Sequence, residues 1–319
     1  MVEWSTTAFV FPGQASQEVG MGKDIASAYT VAHDTFLQAD DILGFKLSEL
    51  CFEGPEAELN DTINTQPALY VCGIATLRAL QAECPEAIPG FVAGHSLGEF
   101  TALTAAGALT FEEGVQLVRE RGRLMKEAGV RTPGAMAAVL GLESDEVRAV
   151  CAQVAQQTGG TLVLANDNCP GQTVISGDER SIEAALQAAP AAGAKRAVRL
   201  AVSIAAHSPL MESASADFRR ALQEVNFRRP HVPIYANIHA KPLTTVESIR
   251  QELDQQLTHS VLWTDSVRAI AAAGAVTFVE VGPKDVLAGL IKRIDRAAAR
   301  FTLNNLENLQ SFIAAARAV

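Results

Sequence analysis

Phe91-Val92-Ala93-Gly94-His95-Ser96-Leu97-Gly98 joins a short apolar run, a serine between two glycines, and the start of a helical pattern that continues to residue 106. A strand, a tight turn bearing serine and then a helix is the setting in which G-x-S-x-G forms a nucleophile elbow. The turn holds serine in a strained conformation with its hydroxyl directed outward. The two glycines permit this because a Cβ at either place would crowd the adjoining strand or helix. The Leu97 amide, at a helix N-terminus, is then free to donate to an oxyanion. Without that setting the same pattern is only a glycine-rich turn with a capping serine. The flanking strand and helix decide for Ser96 as a nucleophile.

Outward from the elbow, residues 8–11 predict a strand ending at Pro12-Gly13, residues 66–80 a long buried helix, and residues 111–128 a helix with Glu and Arg on its polar face. From residue 135 the rhythm changes. Strand 135–140, helix 144–157, strands 161–165 and 173–176, helix 181–192 and strand 196–202 form a β-α-β-β-α-β unit of ferredoxin-like pattern. Helix 210–225, strand 232–236, helices 246–257 and 266–273 and strand 276–281 come next. A short helix, strand 301–303 and a closing helix 306–316 end the chain. Strands alternating with helices predict a mostly parallel sheet covered on both faces. The fold class is therefore α/β. A large domain of residues 1–131 and 204–319 receives a small ferredoxin-like subdomain, residues 132–203. Ligands of such sheets lie beyond the carboxyl ends of the strands, where Pro12-Gly13-Gln14 and Gly94-His95-Ser96 both fall.

Composition narrows the function classes. The 319 residues are 48% hydrophobic and 19% charged, an ordinary globular balance. Five scattered cysteines without C-x-x-C spacing argue against a disulfide framework or zinc site and for a reducing compartment. The first residues carry no basic region followed by an apolar run, and no stretch reaches transmembrane length. The expectation is a cytoplasmic protein that spans no membrane. A net charge of −10 argues against nucleic-acid binding. An acidic partner would need a local basic patch; Lys195-Arg196 with Arg199, Arg228-Arg229, and Lys292-Arg293 with Arg296 are the candidates.

A nucleophilic serine needs a base. Of six histidines, His95 adjoins Ser96, so its side chain leaves the elbow in another direction and is read as supporting the turn. His33 lies in a helical run, and His231, His239 and His259 in loop-like stretches. His207, in Ile204-Ala205-Ala206-His207-Ser208-Pro209, opens a helix where the small unit returns to the large one, and is the candidate base. No acid presents itself as third member, since Asp217 lies deep in the following helix; a carbonyl can orient imidazole equally well. Arg121, in Arg119-Glu120-Arg121-Gly122-Arg123, lies on a helix where most arginines are solvated.

Seven motifs occur in one order. They are Phe11-Pro12-Gly13-Gln14-Ala15-Ser16-Gln17, Thr65-Gln66-Pro67-Ala68-Leu69, Gly94-His95-Ser96-Leu97-Gly98-Glu99, residues 119–125, Asn166 with Pro170-Gly171-Gln172, His207-Ser208-Pro209-Leu210-Met211, and Glu280-Val281-Gly282-Pro283. Together, over nearly the whole chain, they resemble the malonyl-CoA:acyl-carrier-protein transacylase family, which includes the acyltransferase domains of polyketide synthases. The resemblance implies a hydrolase-like core with a ferredoxin-like insertion. It implies a Ser96–His207 dyad and an oxyanion hole made by the backbone amides of Gln14 and Leu97. Arg121 would pair with the free carboxylate of a malonyl group, with Gln66, Asn166, Gln256 and His95 around the substrate. It implies malonyl-CoA and acyl carrier protein as partners, in fatty-acid or polyketide synthesis, with coenzyme A present only as thioester substrate and no metal or redox cofactor.

The chain departs from the family pattern at several places. Ala15 stands where a glycine is usual, Lys284 follows Pro283 where a glycine is usual, and His259-Ser260 replaces the usual proline segment. Ala206 precedes the histidine where malonyl-specific relatives usually carry phenylalanine; the smaller side chain implies room for α-substituted malonyl groups such as methylmalonyl. The alternative activity is a serine hydrolase that releases acyl groups from a carrier protein. Its Ser–His machinery would look the same, but it gains little from Arg121.

Overall fold

The computed structural model describes residues 2–317; residues 1, 318 and 319, the outermost of the expected large domain, lie outside the described residues. The strands, in chain order, are β1 (Thr7–Phe11), β2 (Phe91–Gly94), β3 (Ala135–Leu140), β4 (Leu162–Cys169), β5 (Gln172–Gly177), β6 (Arg196–Arg199), β7 (Ile234–Tyr235), β8 (Pro242–Leu243), β9 (Thr277–Val281) and β10 (Ala299–Leu303). They form a sheet in the order β10-β9-β1-β2-β7-β8 and a separate sheet in the order β4-β5-β3-β6.

The first sheet is parallel except for β8 at its edge. All five residues of β1 are buried, because helices cover both faces and leave a central strand no solvated side. Alternation divides its side chains. Phe9 and Phe11 join the core on one face, and Ala8 and Val10 join the core on the other.

The helices of the amino-terminal third are α1 (Lys23–Ala28), α2 (Thr30–Leu43), α3 (Leu47–Glu53), α4 (Glu56–Leu59) and α5 (Thr62–Glu83). Between residues 17 and 65 the sequence shows only the helical run that holds His33, which is α2. Helices α1, α3 and α4 are short and the connections around them are of one to three residues, so each shows too few turns for a clear helical period. Helix α5 starts earlier than residue 66, capped by the Asp61 carboxylate on the Ile63 amide at 3.3 Å. Pro67 lies inside it and cannot donate to the Ile63 carbonyl. Arg119 Nη1 fills that place at 2.7 Å, so this arginine serves the helix and is not simply solvated.

The elbow leads into α6 (Gly98–Ala105), followed by α7 (Phe111–Arg131), whose amino end carries a Thr110–Glu113 capping box. Sheet β4-β5-β3-β6 is antiparallel and is packed on one face by α8 (Ser144–Thr158) and α9 (Glu179–Ala191). Its elements follow the expected β-α-β-β-α-β order. The last strand stops at Arg199, short of residue 202.

The remaining helices are α10 (Glu212–Glu224), α11 (Val246–Gln255), α12 (Trp263–Ala272), α13 (Val286–Ile294) and α14 (Leu306–Arg317). The helix expected over 210–225 is preceded by a separate 3-10 turn, Pro209–Met211, because Ser208 caps the Leu210 amide and Pro209 fixes the first turn. No described helix is long and apolar enough to cross a membrane.

Candidate active site

Ser96 sits at the carboxyl end of β2 with φ of +52°, the left-handed strain of an elbow. A Cβ on Gly94 would lie 1.9 Å from the Gly98 carbonyl carbon, and one on Gly98 would lie 2.0 Å from the Phe11 oxygen. Neither position admits another residue. Asn237 clamps the turn from both sides. Its Oδ1 accepts from the Ser96 amide at 2.7 Å and its Nδ2 donates to the Gly94 carbonyl at 2.8 Å. The Ser96 amide is thereby taken, while Leu97 and Gln14 line the same cavity as Ser96.

His207 Nε2 stands 2.8 Å from Ser96 Oγ. Its Nδ1 faces two backbone carbonyls, Gln256 O at 2.9 Å and His259 O at 3.1 Å. Carbonyls only accept, so Nδ1 carries the proton and Nε2 is left as the base. The residue is held at φ +58°. Burial, and next the neighbouring Arg121 cation, bring its pKa down to about 3. The ring is therefore neutral at physiological pH.

Arg121 is 1% exposed. Its Nη2 donates to Ser96 Oγ at 3.1 Å and to Gln256 Oε1 at 2.9 Å, and its Nη1 to Gln66 Oε1 at 2.9 Å. All three acceptors are neutral, and its buried Nε has no partner among the described residues. Burial lowers its pKa to about 10, so it remains a cation. A buried guanidinium held by neutral dipoles is prepared for an incoming carboxylate.

Gln66 and Gln256, expected around the substrate, are not among the residues that line the cavity. They are 0% and 1% exposed and stand behind Arg121, because their carboxamide oxygens are occupied by its guanidinium. Asn166 does line the cavity. His95 lines it too, with Nε2 2.8 Å from Asn168 Oδ1, which fixes the ring beside the elbow. Ala206 borders the cavity with Met125, Met136, Val174 and Ile204, giving one apolar wall. The space measures about 300 Å³. It lies between the strand ends of the parallel sheet and the open face of the antiparallel one.

Asn237, Asn168 and Glu99 escaped the sequence reading as site residues. Glu99 was legible as part of the elbow motif, but only its 0% exposure reveals a role. Asn237 is 141 residues from Ser96, and nothing in its neighbours marks it.

Two departures from the family pattern meet in space. Ala15 and Lys284 both adopt positive φ, +86° and +61°, the region glycine reaches without steric cost. Each non-glycine residue there costs about 1–2 kcal/mol. Lys284 Nζ donates to the Ala15 carbonyl at 3.3 Å, tying the two strained positions together beside Gln14. The basic clusters are partly neutralised. Arg199 pairs with Glu179 and Glu183, and Arg228 with Glu113. Arg293 binds Gln172 Oε1 and the Pro170 carbonyl.

The family model for the acyl transferase domain matches residues 8–303. The chain belongs to the acyl transferase family. It is 41% identical over 306 residues to the malonyl CoA-acyl carrier protein transacylase of Bacillus subtilis, covering 96% of each. To the Escherichia coli protein of the same name it is 43% identical over 297 residues, covering 93% of this chain and 95% of that one. The crystal structure of the Xanthomonas oryzae malonyl-CoA:acyl carrier protein transacylase superposes with a TM-score of 0.93, 41% identity and 99% coverage of both chains. A malonyl-transacylase solved in complex with its type II polyketide synthase acyl-carrier protein gives a TM-score of 0.92 and 40% identity, covering 97% of this chain and 99% of that one.

Proposed function

We propose that this acyltransferase moves malonyl from coenzyme A to the phosphopantetheine thiol of an acyl carrier protein, in fatty-acid or polyketide synthesis. The observation that carries the reading is the buried Arg121 cation within 3.1 Å of the Ser96 hydroxyl. A three-carbon diacid esterified to that hydroxyl is short enough to fold its free carboxylate back onto the guanidinium.

Ser96 Oγ attacks the thioester carbonyl as its proton passes to His207 Nε2. The oxyanion is received by the Leu97 and Gln14 amides. The coenzyme A thiolate leaves and takes the proton from His207. The carrier thiol then gives its proton to the same nitrogen, attacks the Ser96 ester, and Ser96 Oγ recovers the proton. Thioester, ester and thioester follow one another with little loss of free energy, so the exchange is reversible and ping-pong. Side chains and backbone amides suffice for it, and the reading assigns no cofactor. Residues 132–203 form the smaller unit in this proposal, and its apolar face closes the cavity over the acyl group. The enzyme would work in the cytoplasm.

Charged hydrogen bonds contribute about 1.5–3 kcal/mol each, and a buried arginine left unpaired costs about 3–5 kcal/mol. Acetyl-CoA would therefore be disfavoured by roughly ten- to a thousandfold. Ala206 in the cavity wall supports acceptance of α-substituted malonyl groups as well. Intact-mass measurement after mixing with malonyl-, methylmalonyl- and acetyl-CoA, then with holo carrier protein, tests the reading. Malonyl should load the wild type and not Ser96→Ala, and should pass to the carrier thiol. Loading of Ser96→Ala, or release to water instead of thiol, would overturn it.

A further inference from the structure

Beneath the dyad lie two buried carboxyls that the exchange does not use. Glu99, in the first turn of α6, is 0% exposed, and Glu252, on α11, is 2% exposed. Consecutive amides hold them. Asn237 N donates to Glu99 Oε1 at 3.0 Å and Ile238 N to Glu252 Oε1 at 2.8 Å. Their other oxygens differ. Glu99 Oε2 accepts from the Gln256 carboxamide, whereas Glu252 Oε2 is buried with no partner among the described residues.

An oxygen surrounded by donors suits a carboxylate, while a buried oxygen without a partner is far costlier charged than in a neutral acid. The charged groups here are Glu99 from α6, Glu252 from α11 and Arg121 from α7. Two ionised carboxylates beside one cation would leave an uncompensated buried charge, which is strongly unfavourable.

We infer that Glu252 carries the one proton this pair shares, and that ionised Glu99 is a positioning residue for malonyl selection. Glu99 and the Ser96 carbonyl can only accept, and together they hold the Gln256 amide nitrogen, the carbonyl at 3.0 Å. The Gln256 oxygen must then face Arg121. One carboxylate thereby reinforces, with a charged hydrogen bond, the orientation of the side chain that aims the guanidinium, and through the Asn237 amide it also supports the clamp on the elbow. Burial pushes both carboxyls upward, and Glu99 is raised further by Glu252, so the two do not ionise together; the donors on both oxygens of Glu99, against none on Glu252 Oε2, place the shared proton on Glu252.

The inference rests on the malonyl reading for its effect on selectivity, and the experiment has two arms to separate them. In Glu99→Gln, the Gln256 carboxamide loses the charged acceptor that reinforces its direction and keeps only the Ser96 carbonyl on its nitrogen. The ratio of malonyl to acetyl kcat/KM should fall at least about tenfold, a ratio that a change in the folded fraction does not move. An unchanged ratio overturns the positioning role. The second arm needs no substrate: the infrared carbonyl stretch of a buried protonated carboxylic acid should be present in the wild type and lost in Glu252→Gln. No such band in the wild type, or its persistence in Glu252→Gln, overturns the shared proton even if Glu99→Gln fails to fold. A wild type that shows the band yet transfers no malonyl would sink the malonyl reading alone.

Discussion

Arg121 Nη2 and Ser96 Oγ share a hydrogen bond of 3.1 Å, so the cation that would select the acyl group also touches the atom that would carry it. Selection and chemistry are joined in one contact. The Arg121→Ala variant should lose malonyl transfer by roughly ten- to a thousandfold and gain acetyl use relative to malonyl. Competition between the two thioesters, read by mass, checks this; an unchanged product ratio would return Arg121 to a structural role.

The same cation bears on pH. His207 is neutral in its working form, and burial with Arg121 holds its pKa down to about 3. Acid inactivation in kcat/KM should therefore set in well below the ordinary imidazole value near 6.5. Removing the positive neighbour favours the imidazolium, so Arg121→Ala should move that acid limb upward. A wild-type limb centred near pH 6.5, or one that stays put in the variant, would contradict this assignment.

Ala206→Phe would fill part of the apolar wall next to the acyl α-carbon. Methylmalonyl transfer should fall by about 10- to 200-fold, the range set by one methyl group in a tight pocket, with malonyl affected far less. Parallel loading rates with the two thioesters decide it. Equal losses for both would mean that residue 206 does not border the α-substituent.

Lys195 and Arg196 form no ion pair among the described residues, whereas their neighbour Arg199 is bound by two glutamates. Reversing both residues to Glu should raise the KM for carrier protein roughly two- to tenfold and leave the KM for malonyl-CoA nearly constant. Equal shifts for both substrates would remove this surface as the carrier dock.

Much of this site can be read in one dimension because each strong motif has a local cause. The two glycines around Ser96 are demanded by contact with one another, which falls within a few residues, and by the neighbouring strand β1 at Phe11, which any strand–elbow–helix packed in a parallel sheet would supply. The antiparallel unit was legible for the same reason, since its strands and helices alternate with clear periods. Residues whose role depends on distant partners were not legible. Asn237 is recognisable only once the elbow is beside it, and Gln66 changes from a cleft residue to a support when Arg121 is seen to cover it. The short helices α1, α3 and α4 were not legible because helices of one or two turns take their stability from packing on α2 and α5 rather than from a sustained period.

His207 takes its orientation from two peptide carbonyls, Gln256 O and His259 O, where many serine enzymes use an aspartate. Every side chain of residues 256 and 259 could be exchanged without removing either acceptor. A saturation mutagenesis screen would thus find no side chain that orients the histidine. The third member is written into the path of the main chain at the end of α11, and only a deletion, an insertion or a proline that bends that path could erase it.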